Sequence, residues 1–155
     1  MRMEIAIIIG NMMIKTMTLE ELVEKHPKIF HPYEGNPYMV NWTGVPNGWI
    51  PVIDTLCSSI QNYIDNHVRY VGGKEIHVPQ VTCTQMKEKF AGLRFYYNGG
   101  DDIVKGMVTM AEYMCRHTCE HCGGKTDGHP VSINGWMRTM CPTCKENVEK
   151  RFHES

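Results

Sequence analysis

Neither sign of charge dominates this 155-residue chain: Lys and Arg number 16, Asp and Glu 17, and the net charge is −1. A protein that coats nucleic acid by neutralising phosphates carries a basic excess, and a polyanionic decoy carries an acidic one. Both classes are excluded. Long apolar runs are missing too. The longest, residues 5–9, falls far short of the roughly 20 residues that a membrane-spanning helix needs. Residues 1–16 hold no small-residue cleavage site behind a long apolar stretch, so no secretory signal of ordinary form is expected. Internal repeats and low-complexity segments are absent. With 42% hydrophobic and 21% charged residues, the composition is that of a folded chain, and the length suits one domain with at most a small appendage.

Within those bounds the pattern predicts an α+β fold in which helices pack on a small antiparallel hairpin or sheet. Residues 1–17 read as an N-terminal extension, with a short strand over 4–9 and a turn at Gly10-Asn11. Met1, Met3, Met12, Met13 and Met17 crowd this stretch, and each is a candidate start. An α+β core spans 18–117. Thr18-Leu19-Glu20-Glu21 has the form of a capping box, opening a helix that Pro27 stops. Residues 27–47 read as a loop packed by Phe30, Tyr33, Tyr38 and Trp42. Over 48–67, Trp49, Ile53, Leu56, Cys57, Ile60, Tyr63, Ile64 and His67 recur at helical spacing, with Asp54, Ser58, Gln61 and Asp65 opposite. Gly72-Gly73 breaks the chain. Residues 80–90 and 93–97 read as a hairpin joined by Ala91-Gly92, with a helical alternative for 86–90. Asp101 or Asp102 then caps a helix to about His117, turning Ile103, Val104, Met107, Ala111 and Met114 inward.

Seven cysteines without a signal peptide argue for metal rather than disulfides. Cys57, Cys83 and Cys115 lie scattered among apolar residues and read as inert buried thiols. The other four form Cys119-Glu120-His121-Cys122-Gly123 and Cys141-Pro142-Thr143-Cys144, two C-x2-C pairs with eighteen residues between. Two thiolates two residues apart grip one tetrahedral zinc from a tight turn, and two such turns close a four-sulfur shell. Residues 118–155 are therefore expected to form a zinc module. A hairpin is predicted around Asn134-Gly135, and a helix that begins at Pro142 carries the last pair. Knuckle, hairpin and ligand-bearing helix make a treble-clef, zinc-ribbon-like arrangement. One structural Zn2+ on Cys119, Cys122, Cys141 and Cys144 is the expectation. His117, His121 and His129 are left as neighbours or solvent groups, and Trp42, Trp49 and Trp136 as packing residues. From residue 119 on there are five basic and five acidic side chains, with Lys145, Lys150 and Arg151 reading as a solvated helix face.

Deaminase chemistry is excluded because no H-x-E element precedes Cys119. A nuclease of the HNH kind would use His129 and Asn134, but no acidic-histidine pair precedes a strand. In the central hairpin, Lys87, Lys89 and Arg94 flank Tyr96, and Glu112 follows on the next helix. This group has two uses: a surface for an anion and a stacked ring, or cross-strand pairing with aromatics inside.

The segment Lys87-Glu88-Lys89-Phe90-Ala91-Gly92-Leu93-Arg94-Phe95-Tyr96-Tyr97, followed by Ala111-Glu112 and by Cys119–Gly123, resembles a family of small proteins encoded by tailed bacteriophages and prophages. Their shared pattern is a Lys-Glu-Lys-Phe-Gly-x-Leu-Arg-Phe-Tyr hairpin, an Ala-Glu helix and a Cys-Glu-x-Cys-Gly knuckle. The resemblance runs over residues 18–145, with Ala91 where the family often has glycine. It implies phage origin and residence in the host cytoplasm, and it brings no activity with it. The functional expectation is a small zinc-binding accessory protein, more a binder than an enzyme, whose partner is a host protein. A nucleotide- or nucleic-acid-sequestering protein is the first alternative and the nuclease the second. No membrane partner is expected.

Overall fold

The computed structural model describes residues 6–9, 12–31 and 44–154. The expected turn at Gly10-Asn11 and the expected packing of Tyr33, Tyr38 and Trp42 lie outside them. Strand β1, Ala6–Ile9, pairs antiparallel with β2, Met12–Lys15, so the single strand expected near the start is a hairpin. Helix α1, Leu19–Lys25, opens with the expected capping box: the Glu21 amide donates to Thr18 Oγ1, and the Thr18 amide donates to the Glu21 carboxylate. Leu22 and Val23 are buried, and the buried His26 closes the helix with Nε2 2.7 Å from Asp54 Oδ1. Lys25 Nζ reaches the same carboxylate at 3.0 Å. Asp54 therefore ties α1 to the next helix instead of simply facing water.

That helix, α2, Ile50–Asn66, follows a single 3-10 turn over Asn47–Trp49. Pro51 sits in its first turn, where the missing amide hydrogen has no intrahelical partner to lose. The apolar stripe does what its spacing predicts. Trp49, Ile53, Leu56, Cys57 and Ile60 are buried, Tyr63 and Ile64 pack at the margin, and only His67 is exposed, its ring stacked on Tyr63.

The break at Gly72-Gly73 is a hairpin turn. Strands β3, Val68–Val71, and β4, Lys74–His77, pair across two glycines with φ of +58° and +78°, the conformation a two-residue primed turn requires. All eight strand residues are exposed.

The central hairpin consists of β5, Thr82–Lys89, and β6, Gly92–Asn98, and no part of 86–89 is helical. Its turn is Phe90-Ala91 and not Ala91-Gly92: both residues have positive φ, 51° and 61°, and Gly92 already belongs to β6, opposite Lys89. Two L-residues in this region are strained, and two hydrogen bonds hold them. The Ala91 amide donates to Glu88 Oε1 at 2.7 Å, and the Ala91 carbonyl accepts from Thr139 Oγ1 at 2.6 Å. A positive φ at Ala91 also gives the physical reason why glycine suits this position.

Helix α3, Asp102–Arg116, is capped by Asp101, whose Oδ1 accepts from the amides of Ile103 and Val104. Its buried stripe is Val104, Val108, Ala111 and Cys115. Ile103 and Met114, expected inside, are exposed, and Met107 is half-buried: the stripe is rotated by one residue from the expected one. Helix α3 packs on α2 and on β6, giving one core with Met86, Leu93 and Phe95 at its centre. Cys57, Cys83 and Cys115 are fully buried in it. Burial pushes the Cys57 thiol well above its ordinary pKa and Cys115 up to about 12, so neither supplies thiolate at neutral pH. No helix among the described residues is long and apolar enough to cross a membrane.

Candidate metal centre

After α3 the chain makes a tight knuckle. The Cys119 amide donates to the Gly124 carbonyl at 2.7 Å, and the Gly123 amide to the Cys119 carbonyl at 2.9 Å. Gly123 has φ +77°, which lets the backbone fold back. Strands β7, Val131–Ile133, and β8, Trp136–Arg138, then pair around Asn134-Gly135, as the dipeptide predicts. Helix α4, Pro142–His153, begins as expected, with Cys141 as its N-cap and Pro142 in the first turn.

These elements bring the four sulfurs of Cys119, Cys122, Cys141 and Cys144 to within 4.8 Å of one another. Cys122 and Cys141 are 3.8 Å apart, Sγ to Sγ. A tetrahedral ion with metal–sulfur bonds of about 2.3 Å has sulfur edges of about 3.8 Å. The donors therefore fit a single four-coordinate metal. Amides complete the surroundings: Gly124 N–H points at Cys122 Sγ at 3.3 Å and Cys144 N–H at Cys141 Sγ at 3.5 Å. Burial opposes ionisation of Cys119, but the amides of Cys122, Cys141 and His121 outweigh it and lower its pKa. Burial, with Cys119 beside it, raises Cys122 against the Gly124 amide and Cys144, and burial with the neighbouring sulfurs raises Cys144. Thiolates this close repel one another, and a dication at their centre reverses the balance.

The cluster is the one group of three or more metal-ligating side chains found among the described residues. His117, His121 and His129 are outside it. His117 Nδ1 lies 3.2 Å from the Tyr113 carbonyl, and its ring fills the space against Gly128. His129 is exposed beside Asp127, and Asn134 occupies the β7–β8 turn with φ 49°.

Around the sulfurs there is little apolar mass. Cys119, Ile133, Met140 and Cys144 are the buried members of a second, small cluster. What joins it to the main core is polar and specific. The Gly48 amide donates to the Glu120 carbonyl at 2.8 Å, and Trp49 Nε1 donates to the Thr118 carbonyl at 2.9 Å. The Glu120 amide donates to the Thr139 carbonyl, and its carboxylate accepts from Arg138 at 2.8 Å and from the Thr139 amide at 3.2 Å. Only 4% of the Glu120 side chain is exposed, so both of its oxygens are satisfied inside the protein. Thr139 in turn holds the Ala91 carbonyl. Glu120, Thr139 and Gly48 were not among the expected site residues. The glutamate within Cys-Glu-x-Cys is the one signal that pointed at them.

The remaining expected site residues are on the central hairpin. Lys87, Lys89, Arg94 and Tyr96 share its outer face by strand alternation, while Met86, Leu93 and Phe95 face the core. Lys87 stands opposite Arg94, with its ammonium 5.8 Å from the Tyr96 ring centroid. Glu112 is half-buried on α3 and forms no salt bridge with Arg94 or Lys89. Trp49 packs as expected, but Trp136 does not: its indole is 73% exposed. No protein-family model, curated protein or solved structure matches the chain.

Proposed function

We propose that the chain is a small zinc-stapled accessory protein that works by binding another protein and not by catalysis. The four thiolates favour zinc as the metal, because soft sulfur donors in a tetrahedral set suit it best. Knuckle, hairpin and a helix carrying the last two ligands support a treble-clef module. Four sulfurs leave no coordination position for water or substrate, so the zinc is structural.

The observation that carries the binding reading is Trp136. It stands on a hairpin fixed at both ends, by Met140 and Cys141 on one side and by Ile133 in the small core on the other. A cleft of about 760 Å³ separates it from Phe90, 80% exposed at the tip of the central hairpin, and is floored by Met137 and Arg138. A second hollow of about 360 Å³ lies against Pro46, Ile133 and Phe152 and is bordered by the same indole. Exposed Trp, Phe, Met and Arg side chains on a fixed backbone are the residue types that anchor protein interfaces. Arg138 at these clefts is already paired with Glu120, but Lys89 and Arg151 also border them, so the surface suits a partner with carboxylates around an apolar pocket. The resemblance to phage proteins supplies the setting: a phage-encoded protein meeting a host protein in the host cytoplasm.

The zinc-loaded protein, tagged and mixed with bacterial lysate, is expected to retain a host polypeptide that can be purified and titrated. Trp136→Ala and Phe90→Ala should each weaken that complex by about 2 kcal/mol, roughly 30-fold, with metal content unchanged. Equal affinity in the double variant would show that this surface is not the one used. Recovery of nucleic acid in place of a polypeptide would favour the sequestering alternative.

A further inference from the structure

The outer face of the central hairpin carries a concentration of positive charge, with the Lys87 ammonium set against the Tyr96 ring, 5.8 Å from its centroid. In β5–β6 register, Lys87 lies directly opposite Arg94, and like charges so placed destabilise a strand pair. Arg94 Nη1 makes a single bond, 3.3 Å, to the neighbouring Leu93 carbonyl. A third cation arrives from the last turn of α3. Arg94 Nη1 and Arg116 Nε both lie within 4.0 Å of the point where a Cβ on Gly92 would stand. Two guanidiniums thus converge over a residue with no side chain. Among the described residues no carboxylate forms a salt bridge with Lys87, Arg94 or Arg116. Glu88 is bound to the Ala91 amide, and Glu112, one helical turn before Arg116, pairs with neither arginine.

We infer that Arg94, Arg116 and Lys87 form an anion site that takes the phosphate of a nucleotide, with its base laid on Tyr96. Guanidiniums present planar pairs of donors that match phosphate oxygens, and an ammonium adds a point charge. Tyr96 is exposed on the same face, two residues along β6 from Arg94 and so about 7 Å away. That places an aromatic surface beside the cationic fork, the pairing by which proteins hold a phosphate and stack a base. Gly92 leaves the space between the guanidiniums open. Arg116 was not among the residues that the sequence singled out, because only the fold brings the end of α3 over the start of β6. The site uses none of the residues that border Trp136, so it stands or falls independently of the protein-binding surface.

Isothermal titration of the zinc-loaded full chain with AMP, ATP and inorganic phosphate tests this at low and physiological salt. AMP and ATP are expected to bind, more weakly as salt rises, and ATP more tightly than inorganic phosphate. Arg94→Ala and Arg116→Gln should each weaken nucleotide binding roughly tenfold or more. Tyr96→Ala should weaken nucleotide but not inorganic phosphate, and Trp136→Ala should change neither. Arg116 is exposed, so its variant folds even if Arg94→Ala does not. No binding at millimolar nucleotide, or binding that Arg116→Gln leaves intact, would overturn the site. Equal affinity for nucleotide and inorganic phosphate, unaffected by Tyr96→Ala, would overturn the nucleotide assignment.

Discussion

Replacing Cys141 with serine is expected to strip the metal and unfold residues 118–155. A structural zinc in a small finger contributes on the order of 10 kcal/mol of apparent binding energy. The buried apolar residues around this one are too few to replace it: Ile133 and Met140 are the main non-ligand members of the cluster. Cys141 also caps α4, accepting from the Cys144 amide; serine is itself a good cap, so the variant isolates the loss of the ligand. The variant protein should hold close to no metal after dialysis. Residues 118–155 should become sensitive to protease while the main core stays folded at lower stability. Metal analysis and limited proteolysis on the same sample check this, and a Cys141→Ser protein that keeps one metal per chain would refute the ligand set.

A second large effect is expected from a single methyl group at the seam. A Cβ on Gly48 would stand 2.1 Å from the Cys119 carbonyl oxygen and 2.6 Å from the Glu120 carbonyl carbon. Neither neighbour is a flexible side-chain end, so the backbone itself must part. Parting it breaks the Gly48–Glu120 hydrogen bond and pulls the fully buried Trp49 indole from the Thr118 carbonyl. Gly48→Ala should therefore destabilise the protein by about 3 kcal/mol or more, lowering the thermal midpoint by on the order of 10 °C. Gly106→Ala is the matching control. Gly106 lies within α3 with open space around its Cβ position, and alanine there should raise the midpoint slightly. Thermal unfolding followed by circular dichroism reads both. An unchanged midpoint in Gly48→Ala would mean that the knuckle does not rest on residue 48.

This seam changes how the two parts of the chain relate. One apolar cluster is drawn from residues 17–115 and the other from residues 119–148. Hydrogen bonds from Gly48, Trp49 and Thr139 run between these two parts of the chain, and Thr139 holds the Phe90-Ala91 turn. Metal binding in the tail and the shape of the central hairpin tip are consequently linked. Phe90 and Trp136, two of the exposed aromatics of the proposed binding surface, stand on opposite sides of that link.

What was legible in the sequence was local. Paired cysteines, the Thr18 capping box, the α2 stripe and the Asn134-Gly135 turn each announce themselves within a few residues, because their chemistry is satisfied within a few residues. Gly72-Gly73 carried a hairpin signal between β-forming residues, and the same dipeptide also reads as a break. The central turn differs by one residue because two hydrogen bonds, one of them from Thr139, stabilise a positive φ that Ala91 would otherwise avoid. Gly48 against Cys119, Thr139 against Ala91 and Arg116 over Gly92 join segments far apart in the chain. No period or spacing marks such contacts. Exposure of Trp136 follows the same logic, since a tryptophan in a short strand gives no sign of which face the fold leaves open.

The central claim is a metal held by four cysteine sulfurs at the junction of knuckle, hairpin and helix. X-ray absorption at the zinc edge of the purified full-length protein tests it most directly. The expected result is one zinc per chain with four sulfur neighbours at about 2.3 Å. Nitrogen or oxygen in the first coordination sphere, or a folded protein that carries no zinc, would contradict it.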